Sequence, residues 1–457
     1  METKLISQVI IPPSSPTPTH LKIFKLSQLD QLIPAPYAPI VLFYPNPNSA
    51  SFPQIIKRVE SLKKSLSKTL ALFYPLAGTI RDDLSIDCND KGAYFAVTKV
   101  NCQLFQFLNK PDIQMISKFL PCDAGYVGPM EGTRVTNIQV NVFECGGMAI
   151  GLCISHKILD GSALDTFLRS WATAAAAAGD GEVEDITEPN FIASSLFPAN
   201  DCWLRDTAMG MWKSSFKMGN SVTKRFVFDS AAISGLRSLA AAGLRRKPTR
   251  VEAVSAFLWK CVMAAGKSKS SMLTHVVNLR KRAVPALSGN SIGNLIWISS
   301  AKCSPGKEQP GGLELELPAL AEKIQFSISK INGEYIKKMM HAGNDGSSTQ
   351  MRKSLKEIAE FGSISGGGAE YLGFSSWCGF GFYEVDFGWG KPVWVSSYAL
   401  SAPVFMNLVI LMETRNGDGI EAWVTLDEQE MDVLEQDQQV LEFVTLDPSP
   451  LDHLKLC

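Results

Sequence analysis

Residues Met148–Ser162 read Met-Ala-Ile-Gly-Leu-Cys-Ile-Ser-His-Lys-Ile-Leu-Asp-Gly-Ser. Met148 to Ile154 is an uncharged, apolar run of strand length. It stops in a turn that carries His156, Asp160 and Gly161. A glycine at 161 suits a backbone conformation that a side chain would resist. Leu164, Phe167, Leu168 and Trp171 then recur at helical spacing. The reading is a histidine held at a sheet edge, beside a carboxylate, just before a helix N-terminus. That is a good position for a general base. The plainer alternative is a hydrogen-bonded structural histidine, and the rest of the chain decides between them.

Immediately upstream, Ile138, Val140 and Val142 alternate with Asn137, Gln139 and Asn141, the pattern of a strand with one apolar face. Cys145-Gly146-Gly147 reads as a hairpin turn, so the histidine-bearing strand is expected to run antiparallel to this neighbour. Further back, strands are expected at Ser7–Ile11, Ile40–Tyr44, Ser85–Cys88 and Ala93–Val100. Ile55, Ile56, Val59, Leu62, Leu66 and Leu70 mark one face of a helix that Pro75 and Gly78 follow.

Downstream of Trp171 the composition turns acidic and flexible at Gly179–Asp185. An inter-domain crossover is expected to start there and to run to about Met218. This gives an N-terminal domain over 1–190, a crossover over 191–218 and a C-terminal domain over 219–457. In the last, strands are expected at Thr223–Phe228, His275–Leu279, Leu295–Ile298, Phe382–Val385, Val393–Ser397, Asn407–Met412 and Ile420–Thr425. Helices are expected at about Ser230–Ala242 and Arg250–Ala265, with a helical segment through Leu320, Ile324, Ile328 and Ile331. Residues 304–312, 342–349 and 362–368 read as loops.

The chain has 457 residues, 46% hydrophobic and 19% charged, with a formal net charge of -1. Lys and Arg are scattered, which argues against a nucleic-acid or membrane-surface partner. The 10 cysteines show no CxxC pair and read as reduced thiols of a cytosolic chain. The N-terminal apolar run is too short for a signal peptide, and no stretch approaches a membrane span. A soluble, cytosolic monomer is expected.

Several motifs fail on inspection. Ala265-Gly266-Lys267-Ser268 lacks the upstream glycine of a phosphate loop, since Cys261 stands there. Gly379-x-Gly381 has Glu384 where a dinucleotide fingerprint needs its third glycine. Gly289-Asn290-Ser291-Ile292-Gly293 matches a nucleophile elbow, which would make Ser291 a hydrolase nucleophile. A strand should precede it and a helix follow; instead Pro285 lies upstream and the strand-like Leu295–Ile298 downstream. His156 and Asp160 have no third ligand near them in sequence, so no metal site is expected.

His156-Lys-Ile-Leu-Asp160-Gly161 and Asp386-Phe-Gly-Trp-Gly390, with Asn278-Leu279-Arg280 between them, resemble the motifs of the plant BAHD acyltransferases. Phe73-Tyr-Pro-Leu-Ala-Gly78, Lys224-Arg-Phe-Val-Phe228 and Gly419-Ile-Glu-Ala-Trp423 resemble the same family, so the likeness covers essentially the whole chain in order. It is strongest to the branch that acetylates alkaloids and related specialised metabolites. Two positions depart from the family pattern: Thr79 stands where a basic residue is usual, and Gly379 where Arg is common.

The resemblance implies an α/β fold of two similar-sized domains with mixed β-sheets, like chloramphenicol acetyltransferase, with the active-site channel between them. A segment of about 365–388 is expected to cross back to the N-terminal domain. The resemblance implies a CoA-dependent O-acyltransferase, moving acetyl from acetyl-CoA to a hydroxyl of an alkaloid, terpenoid or similar metabolite. A longer acyl donor such as a hydroxycinnamoyl-CoA is the alternative, and a catalytically silent binding homologue a further one. No bound cofactor is implied; the acyl-CoA is a co-substrate and a small-molecule alcohol the acceptor. His156 and Asp386 are carried over to the catalytic set, Asp386 with the task of holding its turn. Asp160, Gly161 and Arg280 support the site, with Asp160 pairing Arg280. Ser375 and Trp377 face the oxyanion, and Thr249 and Arg250 lie near CoA.

Overall fold

The computed structural model describes residues 1–33, 37–46, 49–123, 131–177, 186–199, 202–266, 270–303, 316–340, 347–364, 369–399 and 403–452. The expected acidic linker at 179–185 lies outside them, as do the loop at 304–312 and most of those at 342–349 and 362–368.

The N-terminal half builds a six-stranded sheet from β1 (Thr3–Ile11), β2 (Tyr37–Tyr44), β3 (Ala93–Val100), β4 (Thr136–Phe143) and β5 (Met148–Ser155), in the order β1-β3-β4-β5-β2. β3 and β4 are parallel and the other pairs antiparallel, so the sheet is mixed. β5 pairs antiparallel with β4 and is buried along its whole length between β4 and β2. Two helices face it. The helix over Phe52–Leu72 buries Val59, Leu62, Leu66 and Leu70, and the helix over Gly161–Ala176 buries Leu164, Phe167, Leu168 and Trp171. The Trp171 indole N–H donates to Leu62 O at 3.1 Å and to Ser65 Oγ at 3.1 Å, locking the two helices together.

The C-terminal half builds a seven-stranded sheet from β6 (Ser221–Phe228), β7 (Ser270–Asn278), β8 (Ile296–Cys303), β9 (Ala369–Ser376), and, further along, Leu408–Glu413, Ile420–Asp427 and Thr445–Leu446. β9 runs parallel to β7 on one side and to Leu408–Glu413 on the other. The helices Arg250–Ala265 and Leu317–Ser329 cover one face of this sheet through Phe257, Leu258, Leu320 and Ile324. The other face is covered through Met211 of the helix Cys202–Ser215 and Met351, Leu355 and Ile358 of the helix Ser347–Ile364.

The crossover region contains the helix Cys202–Ser215, which packs Ala208 and Met211 into the core. Three sequence expectations are corrected here. The helix Ser347–Ile364 replaces part of an expected loop. Phe382–Glu384 is a 3-10 turn rather than a strand, closed by Glu384 N–H donating to Gly381 O at 2.9 Å. The return to the N-terminal half does not start near 365. β9 belongs to the C-terminal sheet, where it buries Leu372 and Phe374, and only the chain after Ser376 crosses back. There Trp394–Ser396 (β10) pairs antiparallel with β2 and completes the six-stranded sheet.

At the start of β9, Glu370 is buried beside Glu430. Lys217 donates to Glu370 Oε1 at 3.1 Å and to Glu430 at 3.3 Å, and Asn407 Nδ2 donates to both carboxylates. Burial, then the neighbouring Glu430, pushes Glu370 up from the ordinary 4.5 to about 7. The folded chain therefore keeps a proton that the unfolded chain releases over this window, and stability falls as pH rises through it. Glu370→Gln should flatten that fall in melting temperature between about pH 5 and pH 7; an unchanged slope would contradict it.

Candidate active site

β5 ends at Ser155 and delivers His156 to the seam between the two sheets. A loop of the C-terminal half, residues 288–295, is laid against the His156–Asp160 turn. Gly293 bridges to Leu159 and Ser291 to Asn190, both in parallel register. Gly293 adopts φ +127, and a Cβ there would meet the Ala193 Cβ at 2.6 Å, so close approach requires this glycine. That explains one glycine of the apparent nucleophile elbow. Ser291 is fully buried, and its carbonyl, not its hydroxyl, is used: it accepts from Arg280 Nε at 3.2 Å. No helix follows it, and the hydrolase reading falls.

Asp160 and Arg280 are each 3% exposed and meet in a two-pronged pair, Nη1 to Oδ2 at 2.7 Å and Nη2 to Oδ1 at 3.0 Å. Asp160 also accepts from Ala163 N–H at 2.9 Å, capping the helix that follows, and from Leu295 N–H at 3.0 Å. With four donors on its two oxygens, this carboxylate is saturated and fixed away from the histidine ring. It holds the turn, the helix and the 288–295 loop in one place.

His156 has a different partner. Its Nδ1 lies 3.0 Å from Asn294 Oδ1. Asn294 Nδ2 donates to Asp30 Oδ1 at 2.9 Å and to the His156 carbonyl at 2.7 Å, which fixes the amide's orientation. Asn294 Oδ1 can then only accept, so Nδ1 carries the proton and Nε2 is left with its lone pair. Asp30 is itself fully enclosed. It accepts further from Asn294 N–H at 2.6 Å and from Ser27 N and Oγ at 2.8 and 2.6 Å. Burial pushes its carboxyl above the usual range, while the Ser27 and Asn294 donors pull it back. Ser27, Asp30 and Asn294 are the residues that reading the sequence missed. Ser27-Gln-Leu-Asp30 carries the only local signal, that of a capping box, and Asn294 carries none. Asn294→Ala should lower kcat by about 10- to 100-fold through loss of tautomer and orientation, with little change in KM for the acyl donor. A pH–rate profile and kcat equal to wild type would contradict this.

A chamber of about 80 Å³ opens at His156. The N-terminal half contributes Ala38, Gly161, Ser162 and Leu164, and the C-terminal half Val276, Asn278, Ile296, Ser375, Ser376, Trp377 and Phe380. The structure thus brings His156, Asp160, Gly161, Ser375 and Trp377 to one place. A larger cleft of about 750 Å³ lies at the opposite end of β5, between the helix Phe52–Leu72 and Val97–Lys99. No histidine lines it, and the chemistry belongs to the smaller chamber.

Asp386 is not part of this chamber, and its place in the catalytic set is corrected. Its Oδ1 accepts from Gly388 and Gly390 N–H at 2.8 and 2.9 Å, and both glycines adopt positive φ. Phe387 then packs on Trp171 at 4.8 Å and on Tyr44 at 5.8 Å, so the motif pins the returning chain to the N-terminal core. Thr249 and Arg250 also lie outside the chamber. Thr249 Oγ1 caps its helix at Glu252 N–H (3.1 Å), and Arg250 binds Glu413 at 2.8 Å and Gly417 O at 2.5 Å. Cys378, next to Trp377, has its thiol pushed up to about 11 by burial, so it is protonated near neutral pH and is no nucleophile. Gly161 is also reinterpreted. Its backbone is not left-handed; a Cβ there would meet the Phe380 ring at 2.5 Å.

A histidine with a fixed proton on one nitrogen, a lone pair on the other, and serine and tryptophan residues lining the same small chamber is an arrangement suited to general-base transfer. Comparison with known proteins gives the class. Residues 1–441 match the family described as the Transferase family. The chain is 41% identical to the limonoid 7-O-acetyltransferase of Citrus sinensis, covering 99% of this chain and 100% of that one. It is 34% identical to the stemmadenine O-acetyltransferase of Catharanthus roseus, covering 95% and 97%. The crystal structure of vinorine synthase superposes with a TM-score of 0.76 at 32% identity, covering 97% of this chain and 98% of that one. The chain belongs to this transferase family, the plant BAHD acyltransferases, and shares its two-domain α/β fold with mixed sheets. It is an O-acetyltransferase that uses an acyl-CoA.

Proposed function

We propose that the protein transfers the acetyl group of acetyl-CoA to a hydroxyl of a neutral, polycyclic terpenoid of the limonoid type, acting as a cytosolic monomer. The observation that carries the acceptor class is the chamber lining. Asp160 is its one carboxylate, and Arg280 and two backbone N–H groups already saturate it. The remaining walls carry no anionic side chain, which suits a reacting hydroxyl with no ammonium beside it. The higher identity to a limonoid acetyltransferase than to an alkaloid one supports the same choice. An alkaloid acceptor is the second reading, favoured by the vinorine synthase fold match. No helix among the described residues is long and apolar enough to cross a membrane.

An alcohol is a weak nucleophile at neutral pH. His156 Nε2 takes its proton as the oxygen attacks the thioester carbonyl carbon, and Asn294 and Asp30 hold the imidazolium that forms. Ser375 and Trp377 line the same chamber and supply donors for the oxyanion of the tetrahedral intermediate. The carbon–sulfur bond then breaks, the His156 proton passes to the departing thiolate, and free CoA and the acetate ester leave.

The test is a competition assay with acetyl-CoA and coumaroyl-CoA as donors. The acceptors are a hydroxylated limonoid, a hydroxylated alkaloid and shikimate. Acetylated limonoid should dominate. Preference for the alkaloid would support the second reading, and preference for coumaroyl-CoA with shikimate would overturn both.

A further inference from the structure

We propose that Phe380, seated on Gly161, is the size filter that restricts the acyl donor to acetyl. This rests on the acetyl-transfer reading above and adds the residues that enforce it.

The turn after β9 places the ring. Phe380 N–H donates to Trp377 O at 3.3 Å, and Gly379 adopts φ +85. This is the arrangement of a type II turn, whose third position requires a glycine-like backbone. The turn folds Phe380 back onto the start of the helix Gly161–Ala176. There the ring lies so close to Gly161 that any side chain at 161 would collide with it. The ring has little room to retreat. It meets Phe382 edge-on at 5.7 Å, Phe382 is 3% exposed, and Phe382 in turn meets Trp377 edge-on at 5.8 Å. Trp377, Phe382 and Phe380 form a braced row of rings, and both of its ends line the His156 chamber.

The chamber's size gives this wall its consequence. About 80 Å³ holds a few groups the size of a water molecule. A space of that size beside His156 favours a short acyl group over an aromatic acyl ring. Val276 and Ile296 stand on β7 and β8 and cannot move without their sheet. Phe380 is the wall that comes from a turn, and its removal enlarges the chamber most directly. A few methylenes gained or lost in an apolar pocket shift selectivity by about 10- to 200-fold each.

The experiment compares wild type, Phe380→Ala, Phe380→Leu, Gly161→Ala and the Gly161→Ala/Phe380→Ala double variant. Each is assayed with acetyl-CoA, butyryl-CoA and benzoyl-CoA against one fixed acceptor, and thermal melts check folding. Phe380→Ala should raise kcat/KM for butyryl- or benzoyl-CoA, relative to acetyl-CoA, by at least about tenfold, with Phe380→Leu intermediate. Gly161→Ala, at a helix position where alanine is well tolerated, should lower acetyl transfer about tenfold. The double variant should return to within about threefold of Phe380→Ala, because the colliding ring is gone. An unchanged donor ranking in both Phe380 variants would overturn the proposal, as would a shift confined to the acceptor KM or simply multiplicative effects of the two substitutions. Wild-type turnover with acetyl-CoA in the same assay reports separately on the proposed function.

Discussion

His156→Ala is expected to fold as the wild type does and to lose about 10²–10⁴-fold in kcat, with KM for acetyl-CoA changed only a few-fold. His156 follows a strand that is buried throughout, but is itself only half-buried in the seam, so its ring contributes little to the core. The partners of Asn294 survive its loss: Asn294 Nδ2 still donates to Asp30 and to the carbonyl at 156. What disappears is the Nε2 lone pair, the group in the chamber that the Asn294 contact leaves ready to accept a proton. Wild-type turnover by a correctly folded alanine variant would remove His156 from the mechanism.

The second large effect is on stability. Asp160→Ala and Arg280→Ala should each destabilise the chain by about 3–5 kcal/mol, because each leaves a buried charge without its partner. Arg280 without Asp160 keeps only the carbonyls of Ser291 and Gly293 and the Asn278 side chain. Asp160 without Arg280 keeps two backbone donors. The double variant should be less destabilised than the sum, since it leaves no unpaired charge. Denaturant unfolding of the four proteins measures this, and single variants that unfold like wild type with summing effects would contradict it. The pair also spans the two halves, so activity in the single variants should fall together with stability.

The turn around His156 was legible because its signals are local: an apolar strand, a turn, and a helix start within fifteen residues. The partner that sets the histidine tautomer was not, because Asn294 lies 138 residues away and Asp30 a further 264 from Asn294 along the chain. Those contacts exist only once the two sheets meet. Gly161 was read as a backbone requirement, whereas the ring of Phe380 is what excludes a side chain there. β9 escaped notice because Ala-Glu-Tyr-Leu-Gly-Phe-Ser-Ser lacks clean alternation; flanked by parallel strands, both its faces are covered. The helix Ser347–Ile364 had a readable stripe at Met351, Leu355 and Ile358, but a polar, glycine-bearing approach masked its start. Asp386 was grouped with the catalytic set but expected to hold its turn, and the second half of that reading is what its Oδ1 does, accepting from two glycine N–H groups of that turn.

The central claim is direct, base-assisted transfer from acyl-CoA to alcohol at His156, with no acyl-enzyme. It is tested most directly by mixing the protein with acetyl-CoA first alone and then with acceptor, following free thiol and the intact mass of the chain. The account predicts thiol release only once the acceptor is added, a chain that stays unmodified throughout, and no release by His156→Ala. A stoichiometric burst of thiol without acceptor, with an acetyl group left on the chain, would contradict it.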